Sequence, residues 1–186
     1  MTHPQVYSPE LDTYLLLDCA LQERRPGDRV LEVGTGSGYI ASRLMRETCI
    51  VATDTNPFAV REARDLGVDV VRTDLVDGLC GQFEMVIFNP PYLPTQPEER
   101  ISDWLEYALD GGASGREVIT RFASQVGRVL APGGRILLLV SSLTGIHEVG
   151  EIFRDLGYDV SMTGQREAFE ETLVVLKITR RSNICR

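Results

Sequence analysis

Arg29-Val-Leu-Glu-Val33-Gly34-Thr-Gly36-Ser-Gly38 decides the fold. Residues 29–33 read as a buried strand, because an apolar run this short, bounded by turn residues, suits a strand with both faces covered. The glycines that follow form a turn into a helix over Tyr39 to Arg46. A dinucleotide fingerprint needs a third glycine three residues after the second, and that position is Tyr39; a P-loop needs Gly-Lys-Ser/Thr, which is absent. What remains is a ligand-binding glycine turn with an acid, Glu32, two residues before its first glycine.

Working outward, the same alternation continues. Glu10 to Glu23 is a largely buried helix, with Pro9 just ahead of it and Pro26-Gly27 after it. Cys49 to Asp54 is a strand, and Asn56 caps a helix that starts at Pro57 and is stopped by Gly67. Val68 to Thr73 is a more polar strand, as expected near a sheet edge. Phe83 to Phe88 is the fourth strand, and Glu117 to Leu130 is an amphipathic helix. Ala131 to Gly134 turns into a strand over Arg135 to Val140. Gly145 to Leu156 is helical, and strands follow at Tyr158 to Thr163 and Thr172 to Thr179. Strand and helix in alternation imply a parallel, doubly wound α/β sheet, and two terminal strands with no helix between them make the last strand antiparallel. The expectation is one seven-stranded domain over residues 1–180, with a frayed tail at 181–186.

Composition narrows the function. In 186 residues with a formal charge of −8, a broad phosphate-neutralising surface is disfavoured. Lys177 is the one lysine beside 18 arginines, a balance expected of a salt-adapted or GC-rich source. Cys19, Cys49, Cys80 and Cys185 form no Cys-x-x-Cys pair, and His3 and His147 are the only imidazoles, so neither a metal site nor a disulfide framework is expected. No apolar run reaches membrane-span length and the N-terminus carries no signal pattern, which points to the cytoplasm.

Two sets of residues carry the chemistry. Asp54 and Asp74 close the second and third strands, as Glu32 ends the first. Acids there can accept hydrogen bonds from a ligand, with the Leu75 N–H available beside Asp74; capping of turns is the competing reading. The fourth strand ends in Asn89-Pro90-Pro91-Tyr92. Neither proline can donate to a ladder, so the chain turns there and presents a carboxamide, two carbonyls and a ring beyond the strand ends, where open α/β sheets bind ligands. The Asn89 oxygen and Pro90 carbonyl can accept both hydrogens of an NH₂ group while Tyr92 stacks on its plane. A proline-stiffened loop is the alternative. Leu93 to Arg116 is the longest irregular stretch, with a short helical piece near Trp104 to Leu109, and has the character of a binding loop.

The glycine turn resembles the S-adenosylmethionine loop of class I methyltransferases, which have a Rossmann-like fold. The Asn-Pro-Pro-Tyr motif is shared by enzymes that methylate DNA adenine, RNA guanine or the glutamine of termination factors. Val6 to Asp18, Pro91 to Thr95 and Gly111 to Ile119 resemble the short HemK-like glutamine methyltransferases of archaea and eukaryotes. That resemblance implies S-adenosylmethionine as cofactor, held by Thr13, Glu32, Gly34, Gly36, Gly38, Asp54, Asp74, Leu75 and Asn89. It implies Asn89, Pro90, Pro91 and Tyr92 as the catalytic turn, and the Gly-Gly-Gln loop of a peptide chain release factor as substrate. It also implies a small zinc-binding activator protein as partner, beside Val68 to Thr73. Leu11 stands where the family commonly has an acid, and Asp12-Thr13 reads either as helix-start chemistry or as part of the site. Base methylation, lysine methylation and an idle cofactor-binding scaffold are the competing functions.

Overall fold

A computed structural model of the chain describes residues 2–96, 103–168 and 170–181. Residues 182–186 of the expected 181–186 tail and the middle of the 93–116 loop, residues 97–102, lie outside the described residues. The elements run α1 (Leu11–Glu23), β1 (Arg29–Val33), α2 (Tyr39–Leu44), β2 (Cys49–Asp54), α3 (Pro57–Asp65), β3 (Val70–Arg72), β4 (Phe83–Phe88), α4 (Trp104–Tyr107), α5 (Glu117–Val126), β5 (Leu130–Ser141), α6 (Ile146–Asp155), β6 (Tyr158–Ala168) and β7 (Glu171–Arg180).

The strands form one seven-stranded sheet in the order β3-β2-β1-β4-β5-β7-β6. Pairings from β3 through to β5 are parallel, and β7 runs antiparallel to both β5 and β6. The period-2 geometry of a strand divides its side chains between two cores. Leu31, Val33, Val86 and Phe88 face one core with Ile119, Phe122 and Val126 of α5 and Phe153 of α6. Val30, Met85 and Ile87 face the other with Leu16 of α1, Ile40 and Leu44 of α2 and Val60 of α3. Covering both faces is what makes the central strands read as continuous apolar runs. The parallel register places the ends of β1, β2 and β4 side by side, with Glu32 opposite both Ala52 and Ile87.

Four boundaries differ from the sequence reading. Helix α5 stops at Val126, because the chain past Gly127 leaves the helix to give the Val129 carbonyl to the Phe83 N–H. Strand β5 therefore begins at Leu130, and the expected turn at 131–134 is a register shift within it against β4. Strand β6 continues beyond Thr163 to Ala168; Gly164 lies at a bulge where a Cβ would stand 2.4 Å from the Cys19 Sγ of α1. Strand β3 is shorter, Val70–Arg72.

At the end of the sheet opposite the glycine turn, Arg135 is 1% exposed and its guanidinium is held by Asp28, 2.5 Å away, and by the Glu84 and Glu23 carbonyls. A buried cation without such partners would be costly, and here the end of α1, the turn before β1 and β4 supply them. No described helix is long and apolar enough to cross a membrane, and the described residues hold no group of His, Cys, Asp and Glu suited to a metal ion.

Gly38 is the junction on which α2 and α3 meet. It takes φ of 74° as the N-cap of α2, and a Cβ there would lie 2.9 Å from the Ala63 Cα. A Gly38→Ala variant should lose about 1–3 kcal/mol of stability, from the left-handed backbone and overpacking together. Denaturant unfolding measures this, and a variant as stable as the parent would refute the packing role.

Candidate active site

A cleft of about 900 Å³ opens beyond the carboxyl ends of β1, β2, β3 and β4, and every sequence-derived site residue except Gly38 lines it. Gly38 stands back from the lining, at the α2–α3 contact.

Glu32 is buried, and its Oε2 accepts from Thr35 Oγ1 at 2.7 Å and the Ala41 N–H at 3.0 Å. It thus ties the glycine turn to the first turn of α2. Burial pushes its pKa up to about 8, offset in part by the bonds from Thr35 and Ala41 and reinforced by the negative charge of Asp54. Asp54 does the same service from β2, accepting from the N–H groups of Gly36 and Asn56 at 2.8 Å each. Burial raises its pKa, and the backbone donors of Asn56, Gly36 and Thr55 oppose the rise. Asn56 caps α3 through the Phe58 N–H, and its Nδ2 donates to the Gln5 carbonyl at 2.7 Å. The segment before α1 is thereby strapped over the cleft, where Gln5, Val6, Tyr7 and Pro9 line it, with the His3 ring stacked on Phe58 at 4.1 Å.

Past β3 the chain reaches Asp74 and Leu75. Leu75 adopts φ of 50°, the one positive value found at a described residue other than glycine, and its carbonyl accepts from Thr53 Oγ1 at 2.9 Å. A left-handed leucine is strained, and such residues persist where the surroundings dictate them. Asp74 pairs with Arg121 of α5 at the cleft wall.

The acceptor side of the cleft centres on Asn89. Its Nδ2 donates to Asp12 Oδ2 at 3.0 Å, while its Oδ1 is buried with no donor. Asp12 is 3% exposed and also accepts from Tyr7 Oη at 3.1 Å, from the Thr13 N–H at 2.5 Å and from Thr13 Oγ1 at 3.1 Å. A carboxylate can only accept, so it fixes which end of the Asn89 amide turns toward it and leaves Oδ1 to face an incoming N–H. Burial, followed by the negative charges of Asp12, Glu171 and Glu10, holds the Tyr92 hydroxyl well above the usual phenol range, so Tyr92 acts here as a neutral ring.

The turn at Asn89 to Tyr92 is pinned from behind. The Leu93 N–H and carbonyl bond to Leu109 and Gly111, the Thr95 N–H donates to Gly112, and Thr144 Oγ1 donates to the Tyr92 carbonyl. Trp104, Tyr107 and Leu109 close that side of the cleft.

Tyr7 and Arg121 are among the lining residues the sequence reading did not assign, and Asp12 is one it left open between helix-start chemistry and the site. Asp12 had the form of a helix-start residue, yet it caps nothing: the N-cap is Glu10 and makes no side-chain cap bond. Leu11 beside it is 47% exposed and takes no part. Only the long-range approach of α1 to β4 reveals Asp12.

The comparisons with known proteins agree with this geometry. The methyltransferase small domain family matches residues 1–103. A candidate protein N5-glutamine methyltransferase of Methanocaldococcus jannaschii is 36% identical over 182 residues, covering 93% of this chain and 91% of its own. Human methyltransferase HEMK2 is 35% identical over 192 residues, covering 94% and 90%. Among solved structures, that of the E. cuniculi Mtq2–Trm112 complex, described as responsible for methylation of the eRF1 translation termination factor, is similar with a TM-score of 0.81 at 31% identity over 95% of this chain and 99% of that one. The chain belongs to the HemK-like class I methyltransferases of the methyltransferase small domain family.

Proposed function

We propose that the chain transfers a methyl group from S-adenosylmethionine to the side-chain amide of a glutamine in a peptide chain release factor, within a single domain spanning residues 1–180. The observation that carries this reading is the buried, unpartnered Asn89 Oδ1 beside an Nδ2 already committed to Asp12. A buried acceptor left without a donor is costly, and an amide NH₂ supplies the donor it lacks. The names of the relatives, which act on glutamine and on a termination factor, support the same acceptor.

The cleft suits the cofactor. Gly34 and Gly36 allow close approach, Asp54 would take the ribose hydroxyls, Asp74 and the Leu75 N–H the adenine, and Thr13 would close the site from α1. Glu32 Oε2 is spent on Thr35 and Ala41, so an ammonium would find Oε1. The bound cofactor supplies a methyl group made electrophilic by the adjacent sulfonium. The protein's task is alignment. An amide nitrogen is a poor nucleophile because its lone pair is delocalised into the carbonyl. Asn89 Oδ1 and the Pro90 carbonyl accept its two hydrogens and turn the lone pair toward the methyl, while the Tyr92 ring holds the amide plane. With the cofactor bound, a C–N bond would form as the donor's C–S bond breaks, and the nitrogen would give up its proton after the transfer, which calls for no general base before attack.

A protein partner fits the β3 edge. Strand β3 ends the sheet, Val71 on it is 42% exposed, and Leu66 and Met45 nearby are also exposed. A small zinc-binding activator adding a strand there would bury this apolar patch.

With activator and cofactor present, mass spectrometry should find one methyl on the glutamine of the release-factor Gly-Gly-Gln peptide. The Asn89→Ala variant should transfer at least about 100-fold more slowly while binding S-adenosylhomocysteine within about threefold of the parent. Methyl transfer to duplex DNA or RNA with an unmodified release factor would overturn the acceptor assignment.

Glu32 gives a pH test. Its folded pKa is raised above the ordinary carboxylate value, so between the two the folded state binds more protons than the unfolded state, and stability falls as pH rises through that window. Relative to Glu32→Gln, the parent should therefore lose on the order of 3 kcal/mol between about pH 5 and pH 8. Saturating S-adenosylhomocysteine, whose ammonium favours the ionised carboxylate, should flatten the difference. Parallel pH profiles without ligand would contradict the burial argument.

A further inference from the structure

Arg121 is an unassigned cation on the wall of the cleft. Helix α5 buries Ile119, Phe122, Ala123 and Val126 against the sheet, and this leaves Val118 and Arg121, one turn apart, facing the cavity. The Arg121 guanidinium binds Asp74 Oδ2, with the two side chains 51% and 46% exposed. An ion pair this exposed contributes little to stability, so folding does not account for it. Its effect is local. Among the described residues no donor meets Asp74 Oδ1, and no acceptor meets the Leu75 N–H that follows it. The strained Leu75 backbone and the Arg121 clamp together present one fixed acceptor and one fixed donor, adjacent in the chain, on the same stretch of wall.

We propose that Arg121 is a specificity-determining positioning residue for the donor's nucleobase: by holding Asp74 Oδ2, it aims Oδ1 at an exocyclic amino group beside the ring nitrogen met by Leu75. This rests on the cofactor reading given above and extends it. The paired acceptor and donor match the amino group and neighbouring ring nitrogen of adenine. Hypoxanthine presents a carbonyl and an N–H at the same edge, so acceptor would face acceptor and donor would face donor. Without Arg121 the Asp74 side chain can turn to solvent, and the distinction fades. Arg121 touches neither the methyl group nor the acceptor amide and has no part in the transfer itself.

Calorimetry with S-adenosylhomocysteine and S-inosylhomocysteine as probes, on the chain with its activator, tests this. The parent should prefer the adenosyl compound. Arg121→Ala should weaken it about 5- to 10-fold and leave the inosyl compound nearly unchanged, so that the preference collapses by the same factor. Arg121→Lys, which keeps the charge without the planar fork, should fall between. Thermal unfolding within the range of the parent separates this from a folding defect, and Asp74→Asn should lose the same preference, because Arg121 would hold the amide oxygen and leave an NH₂ facing the base's amino group. An unchanged preference in Arg121→Ala, or equal weakening of both compounds, would overturn the role of Arg121 and leave the cofactor assignment standing. Failure of the parent to bind S-adenosylhomocysteine would overturn both.

Discussion

The site depends on one buried carboxylate. Asp12 accepts four hydrogen bonds, from Tyr7, from the Thr13 N–H and hydroxyl, and from Asn89. An asparagine amide has no intrinsic preference for which end faces a pocket, and turning it over exchanges an acceptor for a donor. Beside an acceptor-only partner the choice is fixed, and a glutamine NH₂ meets an oxygen rather than a second NH₂. The same carboxylate holds the start of α1 against the end of β4, so the segment that straps the cofactor side and the turn that clamps the acceptor share one joint.

The sheet explains why these groups meet at all. Parallel strands send their carboxyl ends to one edge, and the register of β1 with β2 and β4 sets Glu32, Asp54 and Asn89 along it. Two of these acids work on the protein itself. Glu32 and Asp54 both accept from the glycine turn or the helix start that follows it, so the loop is preformed and a ligand need not order it. The cost of burying them appears in their raised pKa values, which opposite charge or further donors from a ligand would relieve. The strained Leu75 and the anchored Tyr92–Leu93 backbone follow the same pattern, with stability given up locally to hold a geometry.

Much of this was legible in the sequence because it is local. Strand-length apolar runs, glycines after Val33, Asn56-Pro57 as a cap and prolines after Asn89 each impose their structure on a few neighbours, and β1, β2 and β4 have the expected boundaries. What escaped depended on contacts far apart in the chain. The extension of β6 past Gly164 follows from its pairing with β7, and the early end of α5 from pairing with Phe83. Gly38 reads locally as one more glycine of the turn, and its packing against Ala63 has no local signature. Arg121 carries no motif, and the stretch around Asp12 does not say which residue it holds. Each acquires meaning only from the residue it faces, 77 positions away for Asp12 and 47 for Arg121.

The most direct measurement is the single-turnover rate of methyl transfer in an Asp12→Asn variant. A neutral amide there keeps the size of the side chain but can donate as well as accept, and so frees Asn89 to turn over. The rate should fall about 10- to 100-fold with S-adenosylhomocysteine affinity within about threefold of the parent. An unchanged rate would show that the orientation of Asn89 does not depend on Asp12, and would contradict the account at its centre.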